Sequence, residues 1–552
     1  MNDADDFSCY HAELLEGTYD CVDRIVLNAY FPMGQTAGGL RTWWRLLRTD
    51  DADLDDDHLR DMAGTFSRRL RAFCAKRGIP VIDAQAGERK HELAEPRLPT
   101  DPNFRGLFLV ITGNAPAPLW EVKRNGHNRI VEIRHRKQWP YVKHYYFHLI
   151  DRHWGHVTIR MCGYPPFGAQ VILNGHEWVE REAEREQVAL VKSGNCFVEG
   201  SDFDVVNRLA ARLQRAKTIE RLREVCERWI YSTCLLFALT REEQQRSRFA
   251  YQYSVFQLEL SRNLLFQRGT TLDEVYQKMI DRTRASLDVK QLKTIFGHSH
   301  RPHHIAKRGH ESPSLSKTIQ ACSYDLTVFK VKWGNITLKI YDKGGRVLRI
   351  EVVVHNAREL RCGKLLDKLP TLLERMSGML VRFLNTVQAA HIGFLDEGAF
   401  DNWSEPTTCG ARRLAGIDLN KARIRHVLDA VIALSSRPDG FTLSQLAQAV
   451  AARAGWTETQ YSTRNAAYDL AKLAGKQLVR HVEHSRRYVA DVAGVRTMCA
   501  YLLLRDKLIK PLLAGVTHKH RRPPKITSPL DQHYVVLREE LHRTFDTLGL
   551  AA

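Results

Sequence analysis

No two of the eleven cysteines are spaced as Cys-x-x-Cys, which excludes a zinc ribbon and points to reduced thiols rather than a disulfide framework. No apolar run is long enough to span a bilayer; the longest candidate, 231–240, falls well short. The chain opens with three Asp in its first six residues instead of a basic n-region followed by an apolar stretch, so no secretory leader is read there. P-loop, Gly-x-Ser-x-Gly and His-Glu-x-x-His patterns are all missing, which removes the commonest nucleotide, hydrolase and zinc-protease readings. Acidic residues are also in deficit. There are 63 Asp and Glu against 82 Lys and Arg, giving a net charge of +19 over 552 residues. An excess of that size suits a polyanionic partner, nucleic acid above all, in a cytoplasmic protein without a membrane partner.

What is present is first a repetition. Tyr145 to Met161 and Tyr324 to Ile340 share Tyr, Trp, Gly and Thr at corresponding places, with Trp154 opposite Trp333. Each copy continues into an apolar strand and an Asn-x-x-Glu, Asn174 to Glu177 and Asn356 to Glu359, the pattern of a helix N-cap with a capping-box partner. The expected fold class is α+β: two copies of a β-β-β-α unit embedded in helical segments, plus a C-terminal winged helix. The expected boundaries are a helical N-terminal region at 1–105, the first unit at 106–200, a helical region with a basic loop at 201–320, the second unit at 321–390, a linker at 391–419, the winged helix at 420–515, and a basic tail with a terminal helix at 516–552. Within the first region, Leu59, Met62, Phe66, Leu70 and Phe73 recur at helical spacing and Gly78 reads as the C-terminal stop. Pro370 is expected to break or restart the helix of the second unit.

In the C-terminal part, a helix capped by Asn420, a short strand at Gly440, two more helices and a basic hairpin follow one another. With Tyr468-Asp-Leu and Arg486-Arg487-Tyr488, this stretch resembles winged-helix DNA-binding domains over about 75 residues. The resemblance implies that the third helix enters the major groove and the hairpin follows the backbone beside it. Arg464, Asn465 and Lys472 are the expected groove contacts, with Arg486 and Arg487 on the wing. A winged helix used for protein contacts is the alternative.

A second cationic stretch, 123–144, interleaves Arg134, Arg136, Lys137 and Lys143 with Trp139 and Tyr141, a mix suited to phosphate contact and base stacking. A solvated basic hairpin is the other reading. Asp83 with Glu88 and Lys90 has the outline of a metal-dependent nuclease motif, although a charged helix start accounts for it more simply. Tyr341-Asp-Lys with Leu348-Arg-Ile-Glu351 resembles a strand motif of phage and plasmid rolling-circle replication initiators, which implies Glu351 and Asp342 as catalytic carboxylates. Mg²⁺ would be required only under that reading; otherwise no cofactor and no resident metal are expected. His298 to His310 reads as a flexible cationic loop.

Across most of its length the chain resembles a widespread group of large bacterial proteins of unassigned function, through Gly168–Glu177, Gly194–Phe197, Leu292–Gly297 and the terminal winged helix. That resemblance implies no activity. The expectation is a nucleic-acid-binding protein, DNA favoured and RNA possible, associated with a mobile or replicating element. A metal-dependent endonuclease or rolling-circle-type initiator is one alternative; an RNA-binding ribonucleoprotein component is another.

Overall fold

The computed structural model describes residues 5–276 except 128, 293–295, 328–391 except 334 and 344, 402–509 except 410, 411 and 438, and 529–547. The His298–His310 stretch, 392–401 and the basic part of the tail lie outside the described residues. The chain is mixed α and β and divides into two compact units. The larger takes in 14–272 and 295–380; the other takes in 4–13, 273–294 and 381–552.

The larger unit is built on a sheet whose strands are β1 (Leu15–Tyr30), β2 (Val81–Asp83), β3 (Gly106–Pro116), β6 (Tyr141–Asp151), β7 (Gly155–Cys162), β8 (Ala169–Leu173), β11 (Gln252–Phe266), β12 (Lys293–Ile295), β13 (Val328–Trp333), β14 (Ile336–Lys343) and β15 (Val347–Val354). Two small hairpins, β4 (Trp120–Arg124) with β5 (Ile130–His135) and β9 (Leu190–Lys192) with β10 (Phe197–Gly200), stand apart from it. The sheet order is β12-β13-β14-β15-β11-β1-β8-β7-β6-β3-β2. At its centre β1 and β11 pair antiparallel along nearly their whole length. The β6-β7-β8 meander continues from β1, and the β13-β14-β15 meander continues from β11.

These two central strands correct the sequence reading. Regions 1–105 and 201–320 were expected to be helical, yet they contain β1 and β11, the two longest strands of the sheet. Both are buried along most of their length on both faces, so their sequences lack the in–out alternation that marks a half-buried strand. The hairpin correspondence also shifts. Asp151 pairs with Gly155, which leaves Trp154 in the turn, whereas Trp333 pairs directly with Ile336. The two Trp residues therefore occupy different places in their hairpins.

Local signals fare better. The helix Asp56–Arg77 buries Leu59, Met62, Phe66 and Leu70, with Cys74 rather than Phe73 completing the stripe, and it ends at Gly78 in the left-handed conformation. Asn174 caps the helix Gly175–Arg185 through the His176 N–H at 2.8 Å. Asn356 caps the short 3-10 turn Ala357–Leu360. The two Glu expected to complete capping boxes have other partners: Glu177 binds Lys192 at 2.5 Å and Glu359 accepts from Asn335 at 2.9 Å. The helix Leu369–His391 starts with Pro370 in its first turn, where a missing N–H costs nothing.

In the second unit the helices Ala422–Ser435, Leu443–Ala454 and Thr463–Gly475 are followed by the hairpin β18 (Val479–His481) and β19 (Tyr488–Ala490), then by the helix Val492–Leu503. Phe441 exchanges two backbone hydrogen bonds of 2.8 Å with Tyr488, so a third short segment joins the hairpin. Thr442 and Gln445 form a reciprocal capping box at the second helix. Asn420 does not cap the first; Lys421 occupies that place. The expected linker is not a free connection either. It contains the hairpin β16 (Thr407–Cys409) and β17 (Arg412–Leu414), and it buries Trp403, Leu414 and Ile417, with Trp403 against Tyr501. No described helix is long and apolar enough to cross a membrane.

Candidate functional sites: a buried charge cluster and two cationic surfaces

Glu351 sits between Ile350 and Val352 on β15 and pairs across the sheet with Lys339. Lys339 Nζ lies 3.1 Å from its carboxylate and the Tyr341 hydroxyl 3.4 Å. Only 4% of Glu351 is exposed. Burial alone would raise its pKa, but the Lys339 ammonium and the Arg349 guanidinium outweigh burial and hold it below the usual glutamate value. Asp342 does not join it. Side chains alternate along β14, so Lys339 and Tyr341 share the Glu351 face while Asp342 points to the other. There Asp342 accepts the Gly345 N–H at 3.1 Å and closes the hairpin. These two carboxylates therefore cannot hold one metal ion together.

Beside Glu351 lies a cluster that sequence reasoning missed. A register shift between Val22 and Arg24 marks a bulge in β1 at Asp23. Asp23 pairs there with Arg349, accepts from Ser261 at 3.0 Å, and lies 3.2 Å from His176 Nδ1. Arg349 also donates to the Asn195 carbonyl at 2.7 Å and to Asn263 at 3.2 Å. Asp23, His176 and Arg349 are all buried. Among the described residues, Asp23 Oδ2 and His176 Nε2 have no hydrogen-bond partner. Burial, opposed by Arg349 and reinforced by Glu351 and Glu259, pushes the Asp23 carboxyl up to about 7. Burial, then the Arg349 charge, brings Lys343 down to about 8. Burial keeps His176 neutral, with a pKa well below the usual value. The signals for these residues were indirect: an Asp pair in β1 and an Arg and a Glu inside an otherwise apolar β15. Within the described residues, no group of three His, Cys, Asp or Glu side chains is arranged to hold a metal.

The first cationic surface is largely neutralised from within. Arg134 pairs with Glu121 at 2.9 Å, Arg136 with Asp56, and Lys143 with Asp83 at 3.7 Å. Lys137 stays exposed, and Trp139 and Tyr141 are 59% and 74% exposed. Asp83 also binds Arg71 at 3.1 Å and Thr112. The Glu88 carboxylate accepts the Gln85 N–H, and Lys90 binds the Glu88 carbonyl. The Asp83, Glu88 and Lys90 group is thus engaged in local structure rather than converging on one point.

On the helix Thr463–Gly475, Arg464 is exposed and so is Tyr468, one turn further on. Asn465 is half-buried and bonds Ser462 at 2.7 Å. Lys472 was expected on the same face, but it is buried, over the Tyr468 ring and reaching the Gly416 carbonyl at 3.4 Å. Asp469, three residues before it, is also buried and is held by Arg423 at 2.8 and 2.9 Å and by Tyr461 at 2.8 Å. Lys472 is covered because the 402–417 segment packs along this end of the helix and donates from Thr407 to the Gly475 carbonyl. In the hairpin, Arg480, His481, His484 and Arg486 are exposed. Arg487 turns inward to the Gly440 carbonyl at 3.0 Å, which fixes the hairpin against the strand before the second helix.

Comparison with protein-family models, curated proteins and solved structures finds no match for this chain.

Proposed function

We propose that the protein binds duplex DNA through residues 422–490, which we read as a winged helix. One observation carries the reading: helix, short strand, helix, helix and hairpin follow in that order, with the Phe441–Tyr488 bridge tying the strand to the hairpin. The exposed cations lie where such a module uses them, Arg464 on the third helix and Arg480 and Arg486 on the hairpin. Arg487 then positions the wing and Lys472 supports the helix, and neither touches DNA. The formal charge of +19 supplies the long-range attraction to a polyanion. The strand order of the large sheet, with one meander on each side of β1 and β11, supports reading its two flanks as diverged copies of one unit. A cytoplasmic protein of a mobile or replicating element is the setting that fits this reading. RNA binding and metal-dependent nicking are the competing readings, and no arrangement described above favours either.

The test is fluorescence anisotropy of the full chain with duplex DNA across a salt series. Arg464→Ala with Arg486→Ala should weaken binding across sequences and reduce the salt slope by about one for each phosphate that is no longer neutralised. Lys472→Ala should lower the melting temperature and leave DNA affinity within about twofold, since its ammonium faces protein. An affinity unchanged in the double variant defeats the proposal.

A further inference from the structure

Trp139 and Tyr141 are the largest exposed aromatic pair in the first unit, at 59% and 74% exposure. They flank Pro140, whose carbonyl accepts the Ala117 N–H at 3.1 Å, so the backbone that carries them is fixed. The neighbouring β4–β5 hairpin is pinned to the body of the unit. Trp120 stacks on His135 with centroids 3.7 Å apart and donates to the Gly34 carbonyl at 3.1 Å. Arg124 reaches the carbonyls of Asp51 and Leu54, and Arg136 binds Asp56. Two large rings held on rigid backbone and left in water are costly to display without a partner.

The cations nearest the rings select the partner, since Lys123, Arg134 and Arg136 further along are paired with Glu132, Glu121 and Asp56 and Lys143 is only loosely held, 3.7 Å from Asp83. Lys137 and Lys143 stand two residues to either side of the aromatics, Lys137 exposed and Lys143 41% exposed. Rings that stack and cations close to them in the chain suit bases with open faces on a phosphate backbone. Duplex DNA hides those faces, and opening a step costs a few kcal/mol.

We propose that Trp139 and Tyr141 form a stacking platform for unpaired bases, with Lys137 and Lys143 on the adjoining phosphates. The first unit then holds single-stranded nucleic acid. This site uses other residues and another unit than the winged helix, so each can fail without the other.

The experiment uses the full chain with labelled oligothymidylate, oligouridylate and a duplex, each of about 20 nucleotides. Trp139→Ala with Tyr141→Ala should weaken single-strand binding about tenfold or more and leave duplex binding within about twofold. Trp139→Phe with Tyr141→Phe should keep most of the single-strand affinity, because a ring remains. Preference for one oligonucleotide over the other assigns the site to DNA or RNA. Failure of the unsubstituted protein to bind either single strand at low salt overturns the proposal. So does single-strand binding unchanged in the alanine variant, or an equal loss on the duplex. Duplex binding that is absent while ring-dependent single-strand binding persists removes the winged-helix reading and leaves this one standing.

Discussion

The two flanks of the central β1–β11 pair bury polar groups by opposite means. On the β6–β7–β8 side, β7 and β8 alternate buried and half-buried positions, and the buried ionisable side chains of β6 are His144 and His148, held neutral, and Asp151, which accepts from the Trp229 indole at 2.8 Å and the Trp154 N–H at 3.1 Å. Burial, with the Arg160 charge, lowers His144 to about 4; burial, with His156 beside it, lowers His148 to about 3. On the β15 side every position of the strand is buried, although it carries Arg349 and Glu351. There each charge meets an opposite one, Arg349 with Asp23 and Glu351 with Lys339. A neutral imidazole needs only hydrogen-bond partners close by, the Val142 carbonyl for His144 and Thr158 for His148, whereas a buried guanidinium needs a carboxylate at the right register position. One flank is therefore legible in local pattern and the other depends on partners far away in the chain.

The sharpest way to break this contrast is Arg349→Met. It leaves the Asp23 carboxylate buried without its guanidinium, and urea unfolding should show a loss of about 3–5 kcal/mol. A loss under about 1 kcal/mol would mean that the cluster contributes little to holding β1, β11 and β15 together.

The pH dependence of stability should differ in sign between the flanks. Asp23 has a folded pKa of about 7 against an unfolded value of about 3.9, so the folded state binds more protons in that window. Its contribution is complete below about pH 4 and is lost as pH rises to about 7, on the order of 2–4 kcal/mol. Asp23→Asn should remove that decline. His148, at about 3 when folded against about 6.5 unfolded, acts in reverse. Its contribution is present above about pH 6.5 and is lost as pH falls toward 3, on the order of 3–5 kcal/mol. His148→Gln should flatten the acid limb and leave the Asp23 limb intact. Denaturation midpoints measured from pH 4 to pH 8 check both, and two variants that shift the same limb would erase the distinction.

Glu351→Gln should have a smaller effect, about 1–2 kcal/mol, because Lys339 is partly exposed and can turn to water. The same variant tests the nuclease reading. Mg²⁺-dependent DNA cleavage that disappears in Glu351→Gln with binding intact would give that carboxylate a chemical role. Cleavage that survives it, or none at all, leaves Glu351 as the partner of Lys339.

Short-range chemistry was readable in several places. The apolar stripe Leu59, Met62, Phe66 and Leu70, the stop at Gly78, the Asn174 and Asn356 caps and the helix restart at Pro370 all depend on neighbours within a turn or two. Lys472 shows where that reading stops. Helical spacing placed it on an open face, and a segment more than fifty residues earlier in the chain covers it. The exposed positions of Arg464 and Arg486 are, by contrast, the ones their own helix and hairpin leave open.

By itself the sequence determined composition, charge, the Asn174 and Asn356 caps, the stop at Gly78, and the hairpins on either side of the sheet, because each of these is settled by residues close together in the chain. Only the tertiary structure decided that β1 and β11, whose register sets Leu15 opposite Phe266, form the centre. It also decided that Asp23 meets Arg349. Strand pairing joins residues by hydrogen bonds between backbones, which carry no side-chain signature of their partner. A bulge that turns one carboxylate toward a distant guanidinium becomes visible only once those backbones are side by side.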